Sequence, residues 1–363
     1  MSRFARTHRV FFFEEPIFED TEPHLRSVVC QKTGVRVQTP VLPHGLDPQA
    51  IRTEQRRLLG SMLEDNQIKQ YIAWYYTPMA REFAGALRPR VTVYDCMDEL
   101  SCFAGASSAM RQNELALFEE ADLVFTGGAT LFESKRKQHH AVYLFPSSVD
   151  VPHFARARTA KQEAADQVSL PKPRLGYSGV IDERMDLKLI RSVAEQRPSW
   201  QLVLLGPVVK IDPSALPQAP NIHYLGMKQY SDLPSYLSGW QIGMLPFALN
   251  DSTRFISPTK TPEYLAAGLQ VISTPIRDVV TPYGVKQLVG IAHDTAEFIR
   301  IGDNLLSKPP DNKFLTRVDT FLSQSSWDRT WSDMNELVST ALTSAGSEAM
   351  HLTTTIPGGV AHV

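Results

Sequence analysis

The segment RFISPTKTPEYLAAGLQVIST, residues 254–274, decides how the rest of the chain is read. Ser257 suits the N-cap of a helix, Pro258 its first helical position and Gly268 the position just past its end. The apolar run that follows, with Val271 and Ile272, reads as a buried strand, so a short helix is expected over residues 258–267 between two parallel strands. The start of such a helix offers unpaired backbone N–H groups and a partial positive charge, with Thr259 and Lys260 in its first turn, and so suits a phosphate or diphosphate. Pro262 falls within or just beyond that turn, where a missing N–H costs least. Glu263 stands a turn further on, where a carboxylate can accept two hydrogen bonds from a vicinal diol such as a ribose. An ordinary capped helix with a solvated Lys–Glu pair accounts for the same residues.

Outward from this segment, short β-branched or aromatic runs alternate with longer amphipathic stretches, the pattern of parallel sheets with crossover helices. Upstream lie strand patterns at 174–178, 200–205, 221–225 and 241–245, with helical patterns at 187–196 and 232–238. Downstream come helical patterns at 295–306, 314–322 and 327–342. The first half repeats the alternation, with strand patterns at 8–13, 35–38, 70–73, 91–94, 123–125 and 141–145 and its clearest helix at 107–121. At roughly 100–200 residues per domain, 363 residues make two domains. The expected fold class is therefore α/β: two doubly wound, Rossmann-like domains facing a cleft. Residues 155–169 are polar, small and weakly patterned, and Pro171 and Pro173 follow, which places the boundary between an acceptor-side domain at 1–168 and a ligand-binding domain at 169–342. A tail at 343–363, rich in Ser, Thr, Ala and Gly, is expected to be disordered. Residues 2–7 read as the end of a helix, so the first domain opens without the strand that normally precedes it. Either a neighbouring helix is short, or that first strand is missing from this chain.

Composition narrows the partners. Lys plus Arg total 37 against 39 Asp plus Glu, a net charge of −2, which excludes a general attraction to nucleic acid and leaves at most peripheral membrane contact. With 43% hydrophobic and 21% charged residues the chain is globular, and no apolar run approaches the ~18 residues of a membrane span. Arg3, Arg6 and Arg9 precede a short apolar stretch that Glu14 ends too soon for a signal peptide. The three cysteines, Cys30, Cys96 and Cys102, are too few for a disulfide framework, so a cytoplasmic location is expected. Dinucleotide, phosphate-loop, serine-hydrolase and zinc-protease signatures are all lacking. No two aspartates stand two apart and no His/Cys cluster has ligand spacing, so neither a metal nor a cofactor is expected.

Ser257-Pro258-Thr259-Lys260, followed by Glu263-Tyr264-Leu265-Ala266-Ala267-Gly268 and a strand, resembles the donor-binding segment of the group 1 (family 4) glycosyltransferases, two-domain GT-B enzymes. Gly176 to Gly179, Leu205-Gly206 and Leu245-Pro246 stand in the order that family requires, so the resemblance covers residues 170–280 and extends to the first half by layout. It implies that Glu263 holds the nucleotide ribose, that Ser257, Thr259 and Lys260 surround the donor diphosphate, and that Gly179 lies beside it. The family's paired glutamates would put the first at position 255, which here is Phe255. The arginine usual after the first glycine is absent too, leaving Arg184 or Lys188 to supply its charge, with a surface salt-bridge cluster as the alternative.

In the first domain the strand pattern at 91–94 runs into Asp95 and Asp98 at the sheet edge where doubly wound domains bind ligands. Either carboxylate suits orienting an acceptor hydroxyl or facing developing oxocarbenium charge, and either suits capping the next helix. Together these readings imply a metal-independent glycosyltransferase that moves a sugar from a nucleotide diphosphate donor to a carbohydrate or glycolipid acceptor, with Asp95, Asp98 and Lys260 as catalytic candidates, and the family resemblance implies retention of configuration. Non-catalytic binding of a nucleotide sugar or glycan, and nucleotide-sugar epimerisation, are the competing readings.

Overall fold

A computed structural model describes residues 1–103 and 106–352, the last eight of these as backbone alone. The chain opens with a 3-10 turn at Phe4–Arg6 and forms β1 (Phe11–Phe13), β2 (Ile17–Phe18), β3 (His24–Val29) and β4 (Arg36–Leu42). β4 organises this sheet: β1 and β2 pair with it in parallel at successive points, and β3 antiparallel along its length. Helix α1 (Pro48–Asp65) follows, with Asp47 accepting from the N–H groups of Gln49 and Ala50 at its start. A second sheet holds β5 (Ile72–Tyr75), β6 (Val91–Cys96), β7 (Leu123–Thr126) and β8 (Val142–Leu144), all parallel and in that order. Helices α2 (Arg81–Ala84), α3 (Ser108–Glu120) and α4 (Ala129–Lys135) occupy its crossovers, and α5 (Val151–Ala155) leads onward.

The second domain runs β9 (Arg174–Ser178), α6 (Leu187–Gln196), β10 (Gln201–Leu205), β11 (Ile222–Gly226), α7 (Leu233–Leu237), β12 (Ile242–Leu245), α8 (Lys260–Ala266), β13 (Gln270–Ser273), α9 (Arg277–Val279) and β14 (Gly290–Ile291). Its parallel sheet has the order β11-β10-β9-β12-β13-β14, a doubly wound arrangement that switches direction beside β9. β9, β10 and β12 are buried on both faces, β10 and β12 through nearly continuous apolar runs and β9 with Arg174 and Ser178 buried at its ends. Helices α10 (Thr295–Ser307), α11 (Asn312–Leu322) and α12 (Trp327–Leu352) end the described chain. Val338 of α12 packs with Val91, Val93, Leu123 and Phe125, so the last helix returns to the first domain.

The α/β class with two Rossmann-like domains stands, with the first domain's strands distributed between two hydrogen-bonded sheets. Several expectations need correction. The helix expected at 2–7 is only the 3-10 turn, and the strand expected at 8–13 is β1 alone. β2 and β3 escaped notice because β3 is mostly exposed and lacks a regular apolar alternation. Val149, Phe154 and Ala157 pack into the second domain's core, so segments ahead of the boundary at 168 already belong to that core. The tail expected from 343 is helical to Leu352, because α12 continues, and residues 353–363 lie outside those described.

Candidate functional site

α8 begins later than its sequence suggests. Lys260 is its first residue and Thr259 its N-cap, with no side-chain capping bond, so neither Ser257 nor Pro258 starts the helix. Ser257 lies instead against the first domain, where a side chain at Gly128 would come within 2.9 Å of its Cβ. Thr259 is exposed. Lys260 donates to Glu263 at 2.8 Å, one turn along the same short helix. Glu263 is largely buried, and burial raises its carboxyl above the ordinary range against the opposing pull of Lys260 and His153. The His153 ring, on α5, stacks on Tyr230 with centroids 4.2 Å apart, and Tyr230 lies close enough to feel the Glu263 charge.

Tyr264, buried inside the segment that first suggested the site, ties α8 to the rest of it. Its hydroxyl accepts from the Ser178 N–H at 2.7 Å, anchoring the helix to the end of β9 beside Gly179. Gly243 makes room for the ring: a Cβ there would lie 2.5 Å from Tyr264. Gly179 meets Gly206 at the end of β10, where a Cβ on Gly206 would fall 1.9 Å from the Gly179 carbonyl oxygen. With φ at +136°, Gly206 also holds a backbone conformation that suits glycine alone. Beyond these glycines the loops of β9 and β10 continue as partners through an Ile181–Val208 bridge.

Of the two candidate cations, Arg184 reaches the cleft. Asp182 accepts from its guanidinium at 2.7 and 3.0 Å, and the guanidinium carbon lies 5.5 Å from the ring centroid of Phe103 in the first domain. The bond to Asp182 raises the Arg184 pKa further. Lys188, in the first turn of α6, is exposed and makes no ion pair or hydrogen bond among the described residues. The neighbouring Glu183 carboxylate is turned away from solvent, with no partner among the described residues.

The two first-domain aspartates separate. Asp98 is half-buried, and burial raises its carboxyl while the Arg184 charge opposes the rise, so it lies within the field of that second-domain cation. Strand alternation puts Asp95 on the face of Val91 and Val93, where it is 5% exposed and accepts from the Trp74 indole at 3.1 Å. Burial pushes its carboxyl up to about 6, and its second oxygen has no partner among the described residues. No contact among the described residues joins Asp95 to Arg184 or Lys260. Trp74 packs between Phe4 and Phe125 as a core residue.

The domains meet through contacts with no sequence signature. Asp278 of α9 accepts from the Ala129 N–H at 2.7 Å, the Thr130 N–H at 3.2 Å and the Thr130 hydroxyl at 2.6 Å, capping α4 from the opposite domain. Phe255, where the resemblance wanted a glutamate, packs on the first domain's core. A groove of about 630 Å³ runs beside these contacts, lined in part by Glu133, Lys137, Arg254, Phe255 and Arg277, and includes neither Lys260 nor Glu263. Among the described residues no group of three His, Cys, Asp or Glu side chains could hold a metal, and no helix is long and apolar enough to cross a membrane.

Two Rossmann-like domains meeting across a cleft, with a helix from the second returning to the first, make this a GT-B fold. Sucrose-phosphate synthase from Thermosynechococcus elongatus superposes with a TM-score of 0.70 over 94% of this chain and 91% of its own, at 13% identity. A trehalose-6-phosphate structure from E. coli with bound UDP-2-fluoro glucose gives 0.67 over 93% and 94% at 11% identity, and Anabaena HepE in complex with UDP gives 0.62 over 85% and 87% at 12%. In sequence, the chain is 24% identical over 220 residues to TuaH of Bacillus subtilis (strain 168), a protein named for glycosyl transfer in teichuronic acid biosynthesis. The match spans 55% of this chain and only 54% of that relative. No protein-family model matches the chain.

Proposed function

We propose that this protein is a metal-independent glycosyltransferase that moves a sugar from a nucleotide diphosphate donor to a carbohydrate or glycolipid acceptor, with retention of configuration. The observation that carries the reading is the junction of α8 with β9, where the bond from the Ser178 N–H to the Tyr264 hydroxyl anchors the helix that bears Lys260 and Glu263 to the strand that ends next to Gly179. In this reading Glu263 accepts from the ribose hydroxyls, and Lys260 and Arg184 stabilise the negative charge that grows on the departing diphosphate. Ser257 and Thr259 flank that group, Gly179 lets it approach the backbone, and Lys188 adds long-range charge at most. Asp98, across the cleft from Arg184, holds the acceptor hydroxyl. The buried position of Asp95 favours a structural part for that residue. Support comes from the glycosyltransferase name of the B. subtilis relative and from the UDP and UDP-sugar complexes among proteins of the same fold. The unbridged cysteines fit a cytoplasmic setting.

A thermal-shift panel of nucleotide diphosphate sugars, followed by product analysis with and without EDTA, tests the reading. A donor-specific shift and EDTA-resistant transfer with the anomeric configuration kept are expected. Failure of every donor to shift the melt would overturn it, and an isomerised donor would mark an epimerase.

A further inference from the structure

Phe103, carried by the loop after β6, meets two cations of the opposite domain: the Arg184 guanidinium carbon lies 5.5 Å from its ring centroid and the Lys210 Nζ 5.9 Å. The cations come from the loops that follow β9 and β10, adjacent strands of one sheet. The Ile181–Val208 bridge and the Val209 N–H donating to the Ile181 carbonyl at 3.0 Å hold those loops together. Arg184 and Lys210 thus stand on one platform beside the touching backbones of Gly179 and Gly206.

Their charges are not equally committed. Asp182 takes three hydrogen bonds from the Arg184 guanidinium, and Asp98 lies within its field. Lys210 makes no ion pair or hydrogen bond among the described residues, and its Nζ sits over the Phe103 ring. Its backbone is left-handed, with φ at +60°, a conformation uncommon outside glycine and retained where the surroundings impose it. A cation over a partly exposed aromatic face is weakly held, whereas a cation on a phosphate oxygen forms a charge-assisted bond. An anion entering between the loops would therefore take Lys210 from Phe103.

We propose that Lys210 is a second cation of the donor-diphosphate site and that Phe103 competes with the diphosphate for it across the cleft. The inference rests on the reading of this site as nucleotide-binding and adds to it a residue, Lys210, and an opposing group, Phe103. The phosphate charge is then shared between Arg184, partly neutralised by Asp182, and Lys210, which brings its full charge.

Calorimetric titration of the full chain with UDP, GDP and ADP, and with the matching nucleosides, tests this. Lys210→Met is expected to weaken the preferred diphosphate about tenfold to a hundredfold, the range for a charge-assisted hydrogen bond, while nucleoside affinity stays within twofold. Lys210→Arg should restore most of the loss. Phe103→Ala should tighten diphosphate binding about twofold to fivefold, as expected on releasing a weak cation–π contact, and that gain should shrink when combined with Lys210→Met. Lys210 is exposed, so an unchanged melting temperature will show that its variants fold. A Lys210→Met protein that binds diphosphate as the wild type does, or that loses nucleoside affinity equally, would overturn the proposal. A wild-type protein that binds none of the three diphosphates would overturn the nucleotide reading itself, a result distinct from either.

Discussion

Asp278 is the residue whose removal should most plainly separate the two domains. It is 5% exposed and caps an α4 whose own N-cap, Gly128, has no side chain to do so. Replacement by alanine removes a cap, worth about 1–2 kcal/mol, and leaves a second N–H and a hydroxyl without their acceptor, for about 1–3 kcal/mol more. The hydroxyl can turn and the adjoining groove can admit water, so the expected loss is about 2–4 kcal/mol. Asp278→Asn keeps one acceptor oxygen and should lose about half as much. Arg277 and Glu133 form an ion pair across the same interface, but their side chains are 55% and 47% exposed, so Arg277→Ala should leave stability within experimental scatter. Urea denaturation followed by tryptophan fluorescence gives the ranking, and small-angle scattering reports whether the domains part. An Asp278→Ala midpoint equal to that of the wild type, or an Arg277→Ala effect as large, would refute the claim that the buried cap is what couples the domains.

Lys260→Ala and Glu263→Ala should each weaken donor binding about tenfold to a hundredfold at an unchanged melting temperature, measured by titration calorimetry. Because the two side chains bond each other, their double mutant should lose less than the sum. The raised Asp95 carboxyl binds a proton in the folded state that the unfolded chain has already released, so its contribution falls as pH rises from about 4 to 6, by about 3 kcal/mol in all. Denaturation at pH 4 and pH 7 should show Asp95→Asn gaining that much on the wild type across the window; parallel curves would dismiss the buried carboxyl as the cause. Lys135, with side-chain exposure of 2%, holds Glu99 at 2.7 Å and Glu114 at 2.8 Å, so Lys135→Met should destabilise the first domain by about 3–5 kcal/mol through two stranded carboxylates, as chemical denaturation would reveal.

Much of the second domain was legible because its signals are local. Unbroken apolar runs read as buried parallel strands, and the segment around Lys260 and Glu263 marked a short helix between two of them. The first domain was less legible, since β3 is an exposed strand and the small sheet around β4 joins strands by pairings that no single run announces. The place of the Phe154 segment, ahead of the expected boundary, is settled by packing on the second core, not by its own composition.

The sequence by itself determined the α/β alternation, the balance of charge and the identity of the helix that bears Lys260 and Glu263. These follow from periodicity, capping chemistry and residue type, which act over a few neighbouring positions. Only the tertiary structure decided that Arg184 meets Phe103, that Asp98 comes within the field of Arg184 while Asp95 is buried against Trp74, and that Asp278 caps a helix 149 residues away. Pairings at such separations depend on where loops of different strands converge, and that is set by the packing of two sheets against each other, leaving no mark on either partner's local sequence.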